Sequence, residues 1–570
     1  MGADFALSAR YKRYELSLAV AFMVFVVAHW AFTAHAMTVG TRRAPIGGLS
    51  ARACTHSLTV RATEGTAAGV LGERLRPGWI PGYMIDASDH QYSKFRQYLP
   101  GLVVLGALHL WSSGLARRFS TDMTVVYRHE YESRENLSHR MTFYAISGLV
   151  FSVVLFGNRA GMLLIMAMAN YGLARLFAAS SLSGPATFAF NIFVLISTRY
   201  YNGYMWGWLH PSLAIFDVRG SDLGLVRWHY YYNFCILRFI SYSLDLHWFT
   251  VGRPVRRLDG KPAYTVAQEE HLGAAGDYSL KHYIAYVLYV PLFMAGPICS
   301  FNAFVTQVRV SQTTVDRQQL VDMGKRWLVY VFAMEIFIHV WHVNGYLVMD
   351  RMQLLTGYEA WVCGYLTLNF MWFKFFLIWR FFRIWSIADG IDVPENMVHC
   401  MNNNNSFAEF WRSWHASFNQ WNLRYMYIPL GGRRSQLLSI WLIFGFIALW
   451  HDLDGFVAWG VYNAVCFSGE LLVKWAAARP ALAPLRATLA WRYLSFLGNG
   501  LSIHALIFAN MAIMLGFRRS IPTLAQMFAS SPDGTRTFLY SWAYYTCGAI
   551  MMRHLREHER QRKDAATRIE

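Results

Sequence analysis

Two histidines, His415 and His451, are the residues of this chain whose type and setting could carry proton-transfer chemistry. His451 directly follows the apolar run Leu437–Trp450, where the sequence turns polar abruptly. An imidazole titrates near neutrality, so it can take the proton of a hydroxyl as that oxygen attacks a thioester. A second imidazole can orient the acceptor or stabilise negative charge on the thioester oxygen. We therefore single out His451 as a candidate general base and His415 as its candidate partner.

His415 falls in the segment 402–432, whose pattern predicts one helix. Ser406, followed three residues later by Glu409, forms a capping box that places the helix start near Phe407. Polar residues then repeat at helical spacing on one stripe: Arg412, His415, Asn419 and Asn422. Aromatic residues occupy the adjoining stripe: Trp411, Trp414, Phe418, Trp421 and Tyr425. Pro429 to Gly432 is expected to end the helix.

These residues also have a packing interpretation. The chain has 20 histidines, and a histidine in an aromatic membrane helix often serves packing alone. The same holds for an aromatic stripe at helical spacing. Against this, ionisable groups at membrane depth are costly and usually face a functional cavity. The residues alone therefore predict a membrane protein with a polar, histidine-bearing cavity, and they leave its activity open.

Composition places the helices that must position this site in a membrane. Of the 570 residues, 55% are hydrophobic and only 15% are charged, whereas soluble domains are about 25% charged. Apolar runs of about 16–24 residues recur along the chain, and each is long enough to cross a hydrocarbon core as a helix. We predict an all-α, polytopic integral membrane protein with about 11–13 transmembrane or re-entrant helices around a central cavity.

The formal net charge of +18 does not indicate a nucleic-acid partner, because the basic residues are scattered through short loops and tails. Such charges typically set topology and contact anionic membrane lipids. The seven cysteines are widely spaced, mostly in or beside apolar segments, and form no CxxC pair. We expect no metal site and no disulfide framework.

The chain divides into one membrane domain and its flanks. Residues 1–36 form the N-terminal segment and first transmembrane helix, and 37–98 a polar loop packed on the membrane domain. Residues 99–552 are the membrane core, and 553–570 a basic cytosolic tail. Ala34-His35-Ala36 looks like a signal-peptide cleavage site, but the hydrophobic run before it is longer than usual, so we expect a retained helix.

At these residues the chain resembles the membrane-bound O-acyltransferase (MBOAT) superfamily. The block FWRSWHASFNQW, then RYMYIPLGG, and later Trp450-His451 at the end of an apolar run, matches that family's two-histidine signature in order and spacing. Further segments resemble the glycerol uptake protein branch, which also contains Hedgehog acyltransferase: Phe381–Asn396, Arg227-Trp-His229, Leu237–Asp245 and Tyr289–Ile298. The similarity covers about residues 75–520.

The resemblance implies a function. His451 matches the family's general base, and His415 matches a position that is histidine, asparagine or aspartate in different branches. Hedgehog acyltransferases generally carry an acidic residue there, so His415 points instead to the fungal and protozoan enzymes that reacylate lyso-glycosylphosphatidylinositol (lyso-GPI) in the endoplasmic reticulum. We expect acyl-CoA as donor substrate, no cofactor, and substrate contacts from four further residues: Arg412, Trp414, Asn419 and Trp450.

Two alternatives remain. A protein palmitoyltransferase of the Hedgehog type has the same chemistry with a different acceptor. A glycerol transport protein is the other, although the chain shows no inverted repeat. For the enzyme we expect acyl-CoA to enter from the cytosol and the acceptor from the other side. Four arginines are candidate contacts for the CoA phosphates: Arg380, Arg383, Arg433 and Arg434.

Overall fold

The all-α prediction is confirmed by the computed structural model, which describes residues 9–39, 75–121, 132–217, 225–254, 263–269, 275–309, 315–348, 351–451, 456–515, 527 and 532–567. In chain order the first helices are α1 (Ala9–Val39), α2 (His90–Thr121), α3 (Glu132–Phe156), α4 (Ala160–Leu176), α5 (Ser183–Tyr200), α6 (Trp228–Thr250), α7 (Ala263–Glu269), α8 (Leu280–Val287), α9 (Val290–Phe293) and α10 (Phe301–Arg309). They are followed by α11 (Arg317–Val340), α12 (Val343–Val348), α13 (Gly357–Ala388), α14 (Phe407–Ser413), α15 (Ala416–Asn422), α16 (Gln436–His451), α17 (Phe456–Ala477), α18 (Ala483–Arg486), α19 (Leu489–Leu515) and α20 (Pro532–Thr567).

Within the described ranges, five helical stretches are long and apolar enough to span a membrane: Tyr11–Met37, His90–Arg117, His139–Leu176, Gly357–Ala388 and Leu489–Leu515. Their burial differs sharply. In α13, 72% of the most apolar window is buried inside the protein, whereas the figure is 17% for α1 and for α2. The central helix is therefore α13, and α1 and α2 turn most of their surface to the surroundings, which for an apolar face means lipid. The polytopic class is confirmed, and the total of 11–13 helices stays a prediction.

The helices around α13 form a ring in which each packs on the next. Helix α16 packs on α17, α17 on α19, α19 on α20, and α20 on α1. Helix α13 in turn contacts α1, α19 and α20. The first and last long helices therefore lie together on one side of α13, and α16, which ends at His451, lies on the other side of this ring.

The predicted polar loop 37–98 is only partly within the described residues, since 40–74 lie outside them. Its described part holds the antiparallel strands β1 (Leu75–Pro77) and β2 (Met84–Asp86). Helix α2 already begins at His90, nine residues before the expected boundary at 99, because its first turns are polar and carry no hydropathy signal. The segment is fastened to α11 through Glu335, which accepts hydrogen bonds from the Trp79 indole and from Arg96.

Candidate active site

A cavity of about 730 Å³ opens among helices α13 to α17, α19, α20 and α1. Both predicted histidines line it, as do three of the four residues expected to contact substrate: Arg412, Trp414 and Asn419. The tertiary structure therefore brings His415 and His451 to one chamber from separate helices. That chamber also receives residues from α1 and α20, at the two ends of the described chain.

His451 is the last residue of α16, and its side chain is exposed to the cavity. The carbonyl groups at the end of a helix have no partner within the helix. Here the Arg199 guanidinium donates to the His451 carbonyl oxygen at 2.7 Å, and the Asn233 amide donates to the Trp450 carbonyl oxygen at 3.0 Å. These contacts from α5 and α6 fix the end of α16 and with it the position of the imidazole. The residues that follow His451 in the sequence, Asp452–Asp454, lie outside the described residues.

Trp450 does not line the cavity among the described residues, so its assignment as a substrate contact is not supported by its position. The side chain is only 5% exposed, and its indole N–H donates to the Asn233 carbonyl oxygen at 2.6 Å. Its ring contacts both imidazoles, with centroids 6.4 Å from His415 and 4.7 Å from His451. On α16, Trp450 lies at the edge of the cavity-facing stripe that includes Ile443 and Ile447, and its ring packs beside the two histidines.

The prediction of one continuous helix after Ser406 is wrong. The helix does begin at Phe407, with the Ser406 hydroxyl accepting from the Glu409 N–H at 3.2 Å. It ends at Ser413, and a second helix begins at Ala416. Trp414 is extended, and His415 adopts a left-handed backbone conformation with φ of 48°. Such a φ is strained for a residue with a Cβ and often marks a functional site.

A neighbouring strand-like segment explains the break. Met397 forms an antiparallel bridge with Trp414, and the Val398 N–H donates to the Ser413 carbonyl oxygen at 3.1 Å. The Ala416 N–H then donates to the Asn396 carbonyl oxygen at 3.0 Å. This segment supplies the backbone hydrogen bonds that a continuous helix would have made, so the chain can turn at His415 without leaving buried groups unpaired.

The His415 ring is held between aromatic side chains. Trp379 of α13 stacks on it with ring centroids 4.4 Å apart and an interplanar angle of 21°, and Phe418 contacts it at 5.2 Å. These ring contacts restrict how the imidazole can rotate. Nothing in the sequence of 402–432 predicts the contact with Trp379, because it comes from a different helix.

A polar wall leads away from His415 along one side of the cavity. Its members are the predicted polar residues Arg412, His415, Asn419 and Asn422, followed by Tyr427 and Arg433. After Asn422 the chain forms a π-helix, Leu423–Tyr427, a rare element that is often found at functional sites. Helix α16, which packs on this π-helix, lines the cavity from Gln436 to His451. Those fifteen residue steps span about 22 Å at ~1.5 Å each.

Two of the four arginines proposed to hold CoA phosphates are already engaged. Arg380 donates to the Glu395 carboxylate at 2.6 Å and lies over the Phe376 ring, and Arg383 pairs with Asp392 at 3.5 Å. Their charges are paired inside the protein, which argues against the assignment for these two, and the assignment stays a prediction. Arg433 is exposed and lines the cavity near the start of α16. Arg434 is exposed but is not among the described residues that line it.

This arrangement agrees with comparisons to known proteins. The model of the MBOAT, membrane-bound O-acyltransferase, family matches residues 225–493, which include both histidines. The chain is 30% identical over 466 residues to the membrane-bound O-acyltransferase gup1 of Schizosaccharomyces pombe, covering 80% of this chain and 77% of the relative. The chain belongs to the MBOAT family.

Two further relatives show how much of this chain is similar to known proteins. The membrane-bound O-acyltransferase GUP1 of Saccharomyces cerevisiae is 29% identical over 501 residues, covering 85% of both chains. The protein-cysteine N-palmitoyltransferase HHAT of Mus musculus is 25% identical over 295 residues, covering 50% of this chain and 57% of the relative. The chain is a multi-pass membrane-bound O-acyltransferase, and these two yeast GUP1 proteins match it over more of its length than HHAT does.

A buried ionic cluster anchors the polar wall of this MBOAT, and the sequence analysis did not identify it as part of the site. Asp245 of α6 is 0% exposed and accepts from Arg424 at 3.0 Å and from the Tyr425 hydroxyl at 3.1 Å. Arg424 also donates to Glu269 at 2.7 Å. Both Arg424 and Tyr425 belong to the π-helix, so the cluster ties that element to α6. A lone carboxylate within the apolar run of α6 was a signal that could have revealed it.

Proposed function

We propose that this protein transfers a long acyl chain from acyl-CoA to the free sn-2 glycerol hydroxyl of a lyso-GPI lipid in the endoplasmic reticulum membrane. The observation that carries the proposal is that His415 and His451 face one cavity that has a polar wall and apolar walls. A donor with a polar, anionic end and an apolar acyl end matches such a chamber. The similarity to membrane-bound O-acyltransferases of the GUP group over most of the chain supports the acyl transfer.

In this mechanism neutral His451 accepts the hydroxyl proton while the glycerol oxygen attacks the thioester carbonyl carbon. The oxygen–carbon bond forms, and negative charge develops on the former carbonyl oxygen. The His415 ring, which Trp379 and Phe418 hold in place, donates a hydrogen bond to that oxygen. The carbon–sulfur bond then breaks, and the departing thiolate takes the proton from His451. The products are the ester and free CoA, and His451 is neutral again.

The polar wall supports one orientation of the donor. With the thioester at the histidines, the pantetheine arm follows Asn419, Asn422 and Tyr427 toward Arg433. The carbonyl oxygen of the Asn422 side chain is buried and has no hydrogen-bond partner among the described residues, although it lies in the cavity wall. It can accept from a pantetheine amide N–H. Arg433 then meets the CoA phosphates, which guanidinium groups bind through charge-assisted hydrogen bonds.

The decisive experiment measures CoA release by the purified full-length protein in detergent, with acyl-CoA and a lyso-GPI acceptor. His451→Ala should lower the rate about 10²–10⁴-fold, the usual cost of losing a general base. His210→Ala is the matched control, because the His210 side chain is exposed and its ring hydrogen-bonds only to its neighbour Ser212 among the described contacts. Near-normal turnover by His451→Ala would remove the basis of the mechanism.

The acceptor is tested in the same assay. A panel of lyso-GPI, other lysolipids and a peptide with an N-terminal cysteine should give product with lyso-GPI above all. Acylation of the peptide alone would assign the protein to the palmitoyltransferase class instead. CoA release in detergent also separates an enzyme from a transporter, since transport requires a sealed compartment.

A further inference from the structure

The cavity has a second, apolar arm that leads away from the histidines along α13. The arm starts at Phe375, whose ring stacks on Trp379 at 4.9 Å, and Trp379 in turn stacks on His415. It continues through Met371 and Leu368 to Tyr365, all of which line the cavity. Spacings of three and four residues put these side chains on one stripe of the helix. Ten residue steps carry this wall about 15 Å from its start.

At Tyr365 this arm reaches α20, because the Tyr365 hydroxyl lies 3.4 Å from the Tyr544 hydroxyl. One helical turn after Tyr544, Gly548 lines the cavity, as does Met23 of α1, and a Cβ on Gly548 would meet the Met23 Cε at 3.6 Å. That distance is an ordinary van der Waals contact, so a methyl group fits at this position. A larger side chain on Gly548 must extend into the cavity or displace Met23.

Resting on the proposed function, we propose that Met23 and Gly548 set the length of the acyl chain that the enzyme transfers. The thioester lies at the histidines, the chain runs along α13, and its terminal methyl group meets Met23 and Gly548 between α1 and α20. An acyl chain fits this arm because its walls offer mostly apolar side chains, whereas the polar wall lies on the side toward Arg433.

The methionines of this arm support a flexible apolar occupant. Met371 on α13, Met514 on α19 and Met552 on α20 line the cavity together with Met23. Methionine is unbranched and polarizable, so it adapts to a flexible partner and is common at surfaces that bind such partners. The glycine at 548 is the one position on the cavity-facing stripe of α20 that leaves space instead of filling it, among the described residues of that stripe.

The experiment compares kcat/KM for saturated acyl-CoAs from octanoyl to stearoyl in Gly548→Leu and in Met23→Ala, using the full-length protein in detergent. Each methylene that cannot be buried should cost about fourfold. Leucine adds three carbons beyond Cβ, so Gly548→Leu should lower kcat/KM for the longest accepted chain about 50-fold while octanoyl transfer changes less than about twofold. Met23→Ala should shift the preference toward longer chains. Gly548→Ala should lie close to wild type.

Gly498→Leu is the matched control, because Gly498 is a helical glycine on α19 whose added Cβ meets open space and which is not among the described cavity residues. Retained octanoyl transfer shows that Gly548→Leu is folded. An unchanged chain-length profile in both Gly548→Leu and Met23→Ala would overturn the assignment, as would an equal loss for all chain lengths. Failure of the proposed function is distinct from either outcome, because wild type would then release no CoA from any acyl-CoA.

Discussion

Replacing Arg433 by glutamine should raise the KM for acyl-CoA and leave kcat nearly unchanged. Arg433 lies in the 3₁₀ turn Gly432–Ser435 just before α16, with its side chain exposed at the cavity wall. His451 is the last residue of α16, about 22 Å from Gln436, the first residue of that helix. At that distance the arginine binds the donor but has no contact with the reacting atoms, so its loss weakens binding equally in the ground state and the transition state.

The size of the expected rise in KM follows from the kind of hydrogen bond that Arg433→Gln removes. A hydrogen bond to a charged group contributes about 1.5–3 kcal/mol. Arg433 is exposed, and water competes for the phosphate, so the lower figure applies. About 1.5 kcal/mol corresponds to roughly a tenfold rise in KM. Arg433→Glu replaces attraction by repulsion and should raise KM further.

The assay is a titration of acyl-CoA at a fixed acceptor concentration, repeated at increasing ionic strength. The Debye length falls from ~8 Å at physiological salt to ~3 Å at 1 M. The difference in KM between wild type and Arg433→Gln should therefore shrink as salt is added. Arg434→Gln is the control, since Arg434 is the next residue, equally exposed and equally charged, but is not among the described residues of the cavity wall.

Three results would refute this reasoning. An equal rise in KM for Arg434→Gln would indicate a general field of positive charge rather than a site. A fall in kcat with unchanged KM would place Arg433 in the chemical step. A salt-independent difference would exclude a charge contact.

The remaining predictions concern the backbone at His415 and the buried cluster. For variants of His415, the rate of CoA release should decrease in the order wild type, asparagine, glycine, alanine. Asparagine keeps a hydrogen-bonding group and tolerates a left-handed φ, glycine tolerates the φ but has no such group, and alanine offers neither. Equal CoA release by the asparagine and alanine variants would contradict this order. Asp245→Asn should lower stability by about 3 kcal/mol, toward the lower end for a broken buried pair because Glu269 still holds Arg424. Unfolding in detergent measures this, and Asp533→Asn, in an exposed pair, should change stability by less than about 0.5 kcal/mol.

The sequence was sufficient to predict the helical class and to single out two histidines that the structure brings to one cavity. The helical class follows from composition and from the length of the apolar runs, which depend on local chemistry alone. His451 was singled out by its place after such a run and by the two-histidine signature that the chain resembles, and its catalytic role stays a prediction. The start of α14 was also predictable, because the Ser406 hydroxyl and the Glu409 N–H that it caps are only three residues apart.

The sequence could not predict where the helix would break. The periodicity of 402–432 fits one continuous helix, and the break at His415 depends on hydrogen bonds from Asn396 and Val398. These residues lie close in sequence, but the pairing requires the turn after α13 to bring them alongside. A backbone that has an equally good partner elsewhere need not follow its local helical preference.

Only the tertiary structure decided which of the candidate residues share the cavity. In the sequence, four arginines look alike, because each is a positive charge beside an apolar helix: Arg380, Arg383, Arg433 and Arg434. In the structure, Arg380 pairs with Glu395 and Arg383 with Asp392, whereas Arg433 lies at the cavity wall. It also brings Met23 and Gly548 together from opposite ends of the chain. The sequence shows which side chains are present. Which of them are buried and which form ion pairs depends on contacts between distant segments, and those contacts exist only once the helices have packed.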